Sequence, residues 1–153
     1  MKSSGVRNFS IAVVCIVAGL ISRSAAAQGA SAPCNLLTAA QVGTAVGASV
    51  GAPQVIGTTG CSWSAPHIIV SVSLWDASKW EQMKTPLPGA AKTSVAGLGD
   101  DAFLTTIGKP DKQFVTLSVK KGATAYVFKV YGVSAPRQAS MENTLAADVL
   151  AKP

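Results

Sequence analysis

The chain of 153 residues is poor in charged residues, histidine and cysteine, and each shortage excludes a class of protein. Charged side chains make up 13% of the residues, against a usual share of about 25%, so a disordered polyelectrolyte is excluded. One histidine and three cysteines leave few ligands for a metal cage and few partners for a catalytic triad. A chain of this length is expected to form one domain.

The N-terminal segment carries the clearest targeting pattern. Lys2 and Arg7 form a basic region, residues 11–21 are an apolar core, and residues 24–27 are the small-residue run Ser-Ala-Ala-Ala. A transmembrane helix needs about 20 apolar residues, so this core is too short to span a bilayer. The order of the three regions is typical of a secretory signal peptide.

The signal peptide determines the expected domain organisation and net charge. We expect residues 1–27 to be cleaved off after Ala27, residues 28–33 to form a flexible leader, and residues 34–153 to form a single domain; an uncleaved anchor is the alternative. The ten basic and seven acidic residues that remain lower the net charge from +6 to +3. Because no run of basic residues is longer than two, we expect no nucleic-acid partner. We also expect no membrane span in the mature chain.

The cysteines indicate an exported protein with one disulfide. Cys15 lies inside the apolar core and Cys34 lies too far downstream for a lipid-acceptor position, so we expect an exported, periplasmic or extracellular protein without a lipid anchor. Cys34 and Cys61 form an even pair, and an oxidising compartment favours a disulfide between them. A metal pair and a redox couple are the alternatives, although His67 alone cannot complete a metal site.

Hydrophobic periodicity predicts alternating helices and strands after residue 33. We expect helices at 38–47, 77–84 and 135–151, and strands at 53–57, 61–75 (interrupted at Ala65-Pro66), 101–107, 113–120 and 124–131. The first helix begins with a capping box formed by Thr38 and Gln41. The remaining segment, residues 85–99, is read as a long loop. The order α-β-β-α-β-β-β-α with short connections predicts an α+β fold, with a largely antiparallel sheet and helices packed on one face.

The second helix and the last strands carry the aromatic and apolar signals. Asp76 is the expected N-cap of the second helix, and Trp75 and Trp80 occupy staple positions around it. Tyr131 shares a strand face with Lys129 and is the best exposed aromatic candidate. These two residues, together with Gly97, Gly99 and Asp100 of the segment before the third strand, form the candidate binding surface.

Three polar residues are the candidates for chemistry. Adjacent Asp100 and Asp101 could bind a cation or act as an acid/base pair, but neighbours in an extended strand point to opposite faces. A glycine-shaped turn in which an aspartate accepts backbone N–H groups is the favoured interpretation. His67 is expected at a strand end, on the same face as Ser71, without a nucleophile in reach. We therefore expect no catalytic residue, no cofactor and no metal.

Four motifs together resemble a known family. They are Cys34-x-Leu36-Leu37-Thr38-x-x-x-Val42-x-x-x-Val46-Gly47, Gly60-Cys61-Ser62-Trp63, Val95-x-Gly97-Leu98-Gly99-Asp100-x-Ala102 and Glu142-x-x-Leu145-Ala146-x-x-Val149-Leu150. In this order they resemble a family of small exported domains of unknown function, common as bacterial lipoproteins in actinobacteria. The resemblance implies an α+β sandwich, a disulfide between the first helix and a strand, and no catalytic residue. The chain departs from the family by lacking the lipid-acceptor cysteine.

The sequence leaves three functional hypotheses. The first is a non-enzymatic exported binding module for an unknown envelope protein, peptide or small ligand. It predicts an accessible apolar patch or groove between the sheet and the loop at 85–99. The second is a small hydrolase that uses Asp100, Asp101 or His67, which requires at least two of these to share one cleft. The third is a structural envelope protein.

Overall fold

Residues 32–152 fold into one seven-stranded sheet with three α-helices. The structure is a computed structural model that describes these residues, so the expected signal peptide, its cleavage site and residues 28–31 of the leader lie outside the described range. The helices are α1 (Ala39–Val46), α2 (Trp80–Lys84) and α3 (Ala135–Leu150), with 3₁₀ turns at Ala32–Asn35 and Ala77–Lys79. The strands are β1 (Gln54–Ile56), β2 (Gly60–Ala65), β3 (Ile68–Asp76), β4 (Ala90–Ser94), β5 (Asp101–Ile107), β6 (Phe114–Lys121) and β7 (Thr124–Tyr131). None of the helices in the described part is long and apolar enough to cross a bilayer.

The sheet is antiparallel throughout and has the order β1-β2-β3-β7-β6-β5-β4. Helices α1 and α3 pack on one face, where Val72, Leu117 and Phe128 form the centre of the main core. The predicted α+β fold with an antiparallel sheet is therefore confirmed, and α1 and α3 lie on one face as predicted. The short α2 differs, because Trp80 packs with Phe103 on the opposite face.

The first two helical segments begin at the capping residues that the sequence predicts. The Thr38 side chain accepts the N–H of Gln41 and the Gln41 side chain accepts the N–H of Thr38, which completes the capping box before α1. Gly47 ends α1 in the left-handed conformation at φ 71°. Asp76 accepts the N–H of Ser78 at 2.7 Å and so begins the turn that leads into α2.

The predicted strand at 61–75 is wrong in one respect, because it is a hairpin of two strands. β2 ends at Ala65 and β3 starts at Ile68, and these two residues face each other across the ladder. Pro66 and His67 form the turn, and His67 adopts φ 63°, a left-handed conformation uncommon outside glycine. His67 is therefore a turn residue and does not share a strand face with Ser71.

The predicted loop at 85–99 contains a strand. β4 pairs antiparallel with β5 and forms the edge of the sheet. Its side chains are small or polar and mostly exposed, so no apolar alternation marks it in the sequence. Pairing with the β5 backbone stabilises this strand, and a short polar edge strand also protects the sheet from further pairing.

A disulfide joins Cys34 to Cys61, as predicted, with an S–S distance of 2.04 Å. It links the 3₁₀ turn before α1 to β2, and both cysteines are buried in the main core. A metal pair and a redox couple are therefore no longer needed to account for the two cysteines.

Helix α3 inserts two polar side chains between β6 and β7. The ladder between these strands stops at the pair Leu117–Phe128. Beyond it, the N–H of Val115 donates to Gln138 at 2.8 Å, and the N–H of Val130 donates to Glu142 at 2.9 Å. Side chains of α3 thus replace the next pair of ladder hydrogen bonds, which satisfies buried backbone groups that would otherwise lack partners.

Candidate functional site

The face of the sheet opposite α1 and α3, here called the open face, carries the candidate site. Ser71 on β3 lies opposite Lys129 on β7. Thr105 on β5 lies opposite Thr116 on β6 and also opposite Lys92 on β4. Directly paired residues on neighbouring strands point to the same face, so Ser71 and Lys129 form one polar pair on this face, and Lys92, Thr105 and Thr116 form a polar row across three strands.

Helix α2 forms one wall above the open face and is held to β5. Trp80 is buried against Phe103, with ring centroids 5.1 Å apart. Its indole N–H donates to Asp101 at 2.8 Å, and the Lys84 ammonium donates to the same carboxylate oxygen at 3.1 Å. The hydrogen bond from Trp80, followed by that from Lys84, lowers the pKa of Asp101. The carboxylate of Asp101 is therefore occupied in positioning α2.

Lys92 closes the C-terminal end of the same wall. Its ammonium donates to the carbonyl oxygen of Met83 and, at 2.9 Å, to that of Thr85. It also lies 4.8 Å from the centre of the Phe103 ring. Cations at a helix C-terminus satisfy its free carbonyl groups. Burial lowers the pKa of Lys92. Because its ammonium is hydrogen-bonded to carbonyl groups at the end of α2, its role is structural.

A groove of about 290 Å³ lies between this wall and the sheet. Its apolar side chains are Trp75, Met83, Leu87, Phe103, Ile107 and Val127. Its polar side chains are Ser73, Lys92, Thr105, Thr116, Ser118 and Lys129. We call this cavity the open-face groove. Ligand sites in proteins span roughly 300–1,000 Å³ and combine apolar walls with a few polar groups, so the groove lies at the lower limit of this range and has room only for a small ligand.

Lys129 is the unpaired cation of the groove. Among residues 32–152 its ammonium has no hydrogen bond or salt bridge, whereas Lys84 pairs with Asp101. No aspartate or glutamate lines the groove. The nearest buried acid is Glu142, on the other side of the sheet, and burial raises its pKa to about 8. Glu142 is therefore mostly protonated at neutral pH and gives little countercharge to Lys129.

An exposed apolar row borders the groove on the side away from α2. Ile69 lies opposite Tyr131, and Ile107 lies opposite Phe114. The rings of Phe114 and Tyr131 meet edge to face, with centroids 6.2 Å apart. All four side chains are exposed, so the open face offers apolar surface beyond the groove itself.

The structure separates the residues of the predicted binding surface. Lys129 lines the groove and Tyr131 lies beside it in the apolar row. Asp100 lies at the opposite end of the sheet, where its carboxylate accepts the N–H of Gly122 at 2.7 Å. Gly97 and Gly99 belong to the same bend and have positive φ, so these three residues shape a turn away from Tyr131.

The candidate catalytic residues do not share a cleft. The Asp100 carboxylate accepts the backbone N–H of Gly122, and the Asp101 carboxylate accepts the indole N–H of Trp80. Asp101 lies in the cross-strand row that ends at Trp75, whereas His67 precedes the other end of β3. The seven steps along β3 from Ile68 to Trp75 alone separate these positions by roughly 23 Å at about 3.3 Å per residue. The convergence that the hydrolase hypothesis needs is absent from the described residues.

The sequence does not identify most of the groove residues as members of one site, although the alternation of the strands indicates which of them face away from the core. The alternation of β5, β6 and β7 does assign Thr105, Thr116 and Lys129 to the face opposite the core. The sequence predicts a helix-staple role for Trp75, but its side chain is 52% exposed and lines the groove. The wall could not be predicted, because it depends on which strand lies next to α2.

Comparisons with known proteins add no assignment. No protein-family model, curated protein or solved structure matches the chain. The resemblance of the four motifs to the exported lipoprotein-like family stays a prediction.

Proposed function

We propose that this protein is an exported, non-enzymatic binding module that takes a small ligand into the open-face groove. The observation that carries the proposal is the groove between the sheet and the segment that contains Leu87. It occupies the place where the binding-module hypothesis expects an accessible apolar site. The pattern of residues 1–27 and the disulfide support export.

The different roles of the polar residues also support binding over catalysis. The groups with shifted pKa values near the groove, Asp101 and Lys92, are engaged in holding α2. The hydroxyl groups of Thr105 and Thr116 and the ammonium of Lys129 remain without partners in the described part of the chain. Hydrogen-bonding groups that line a groove and are not engaged by the protein can bind the polar part of a ligand.

The test is ligand capture by the mature domain. Disulfide-bonded protein starting at Gln28 is incubated with an extract of the producing cell's envelope, washed, denatured, and analysed for released small molecules by mass spectrometry. Thr105→Trp fills the groove floor with a large side chain. Thr93→Trp is the matched control, because Thr93 is exposed on the neighbouring strand and faces the other way.

The proposal expects a released compound with wild type and Thr93→Trp and its loss with Thr105→Trp. Urea unfolding of all three proteins establishes that each is folded. Equal capture by Thr105→Trp and wild type, or no compound enriched by any folded protein, would contradict a ligand site in the groove.

A further inference from the structure

We infer that the ligand of the open-face groove is an amphiphile with one anionic headgroup, which the Lys129 ammonium binds while α2 and Phe103 cover the apolar body. The inference rests on the proposed function and names the chemical class of its ligand. The headgroup is a carboxylate or a phosphate ester, which share the negative charge and acceptor oxygens that this site recognises.

Three donors from adjacent strands surround the expected headgroup. Ser71 on β3 lies directly opposite Lys129, and Thr116 on β6 lines the same groove as Lys129. Paired strands are about 4.8 Å apart, so the Ser71 hydroxyl lies beside Lys129. Thr116 lies across the groove from the lysine, beyond the last paired residues of β6 and β7. None of the three side chains has a hydrogen-bond partner among residues 32–152. A charge-assisted hydrogen bond is roughly twice as strong as a neutral one.

The apolar part of the groove lies on one side of these donors. Val127 and Phe103 form its floor, and Met83 and Leu87 lie on the side of α2 and the following loop. Leu87 is 55% exposed and Trp75 is 52% exposed. Large apolar side chains at this exposure gain free energy when a ligand removes them from water, at about 25 cal/mol per Å². A polar anion alone would leave this surface uncovered.

The charges around the groove favour an anion over a neutral or cationic ligand. Lys129 has no carboxylate near it on the open face, and Asp101 is paired with Lys84. A second copy of the chain docking by the same face would bring two Lys129 side chains together without a countercharge. Charge complementarity therefore selects an anionic partner for this face.

The test is a titration of the mature domain with four probes below their micelle concentrations. Decanoate and decyl phosphate carry both features, decanol lacks the charge, and acetate lacks the apolar body. Calorimetry measures affinity, and a ligand-induced change in tryptophan fluorescence reports mainly on Trp75, the exposed tryptophan that lines the groove. Lys129→Gln removes the anchoring charge. Arg137→Gln, on the exposed surface of α3, removes the same charge far from the groove.

We expect decanoate or decyl phosphate to bind at least about tenfold more tightly than decanol and acetate, and the preferred one identifies the headgroup. Lys129→Gln should lose about tenfold in affinity for that probe, and Arg137→Gln should match wild type. Equal affinity for decanol, equal affinity for acetate, or an unchanged Lys129→Gln would overturn the inference. If neither decanoate nor decyl phosphate binds, the inference about the ligand class is also overturned. In that case, loss of the captured compound with Thr105→Trp would still support a groove ligand of another chemical class.

Discussion

Glu142 makes the stability of the protein depend on pH in an unusual direction. Its side chain is fully buried under the sheet, and one carboxyl oxygen accepts the N–H of Val130 while the other has no partner in the described structure. Burial raises the pKa of Glu142 from 4.5 to about 8, against the smaller opposing effects of the Val130 and Leu117 backbone N–H groups and of the Lys129 charge. The folded protein therefore keeps a proton that the unfolded chain releases.

The sign of the effect follows from this difference in proton binding. Since the pKa is higher in the folded state, the stability from the neutral carboxyl is fully present below about pH 4.5 and is lost as pH rises through 8. The slope for one proton is at most about 1.4 kcal/mol per pH unit. Across the window the loss in free energy of unfolding is on the order of 3–5 kcal/mol.

The substitution Glu142→Gln should remove this dependence. Glutamine keeps the carbonyl oxygen that accepts the N–H of Val130 and does not titrate. We expect the variant to match wild type within about 1 kcal/mol at pH 5 and to be more stable than wild type at pH 8. The measurement is urea unfolding at pH 5, 6, 7 and 8 with the disulfide intact.

A matched control comes from the only other glutamate of the chain. Glu81 lies on α2, with its side chain 84% exposed and 4.0 Å from Lys84. Glu81→Gln should leave the pH dependence of wild type unchanged, because exposed ion pairs contribute little. If Glu142→Gln and wild type lose stability in parallel between pH 5 and 8, the buried carboxyl is not the group that titrates, and the reasoning is refuted.

Three further predictions concern the framework around the groove. Reducing the disulfide, which spans 27 positions, should lower the free energy of unfolding by about 3.5 kcal/mol, measured by urea unfolding with and without dithiothreitol; a change below about 1 kcal/mol would contradict it. Gly132→Ala should cost about 3 kcal/mol or more in the same assay. Gly132 has φ 92°, and a Cβ at this position would collide with the carbonyl oxygen of His67; an unchanged free energy of unfolding would contradict this packing. Asp101→Ala should cost about 1–3 kcal/mol, because the buried indole N–H of Trp80 loses its acceptor, and an unchanged tryptophan emission would argue against that contact.

Signals local in the sequence predicted most helices and strands. The capping box at Thr38 and the left-handed Gly47 bound α1 as expected. The alternation in β6 placed Val115, Leu117 and Val119 in the core. These signals work because capping and burial depend on residues one to four positions apart.

The errors arose where the structure depends on distant partners. β4 has no apolar alternation and exists because β5 pairs with it. The turn at His67 holds a residue other than glycine in the left-handed conformation, and the close approach of Gly132 shows that another part of the chain packs against this turn. The groove likewise depends on strand order, because Lys129 and Thr105 are brought together across three strands of the sheet.

An amide chemical-shift map locates the ligand site most directly. The spectrum of the isotope-labelled mature domain is recorded during titration with decanoate. We expect the largest changes on the open face, around Thr105, Thr116–Ser118 and Val127–Lys129, with further changes at Met83. Changes confined to α1 and α3, or spread evenly over the chain, would contradict a ligand site in the open-face groove.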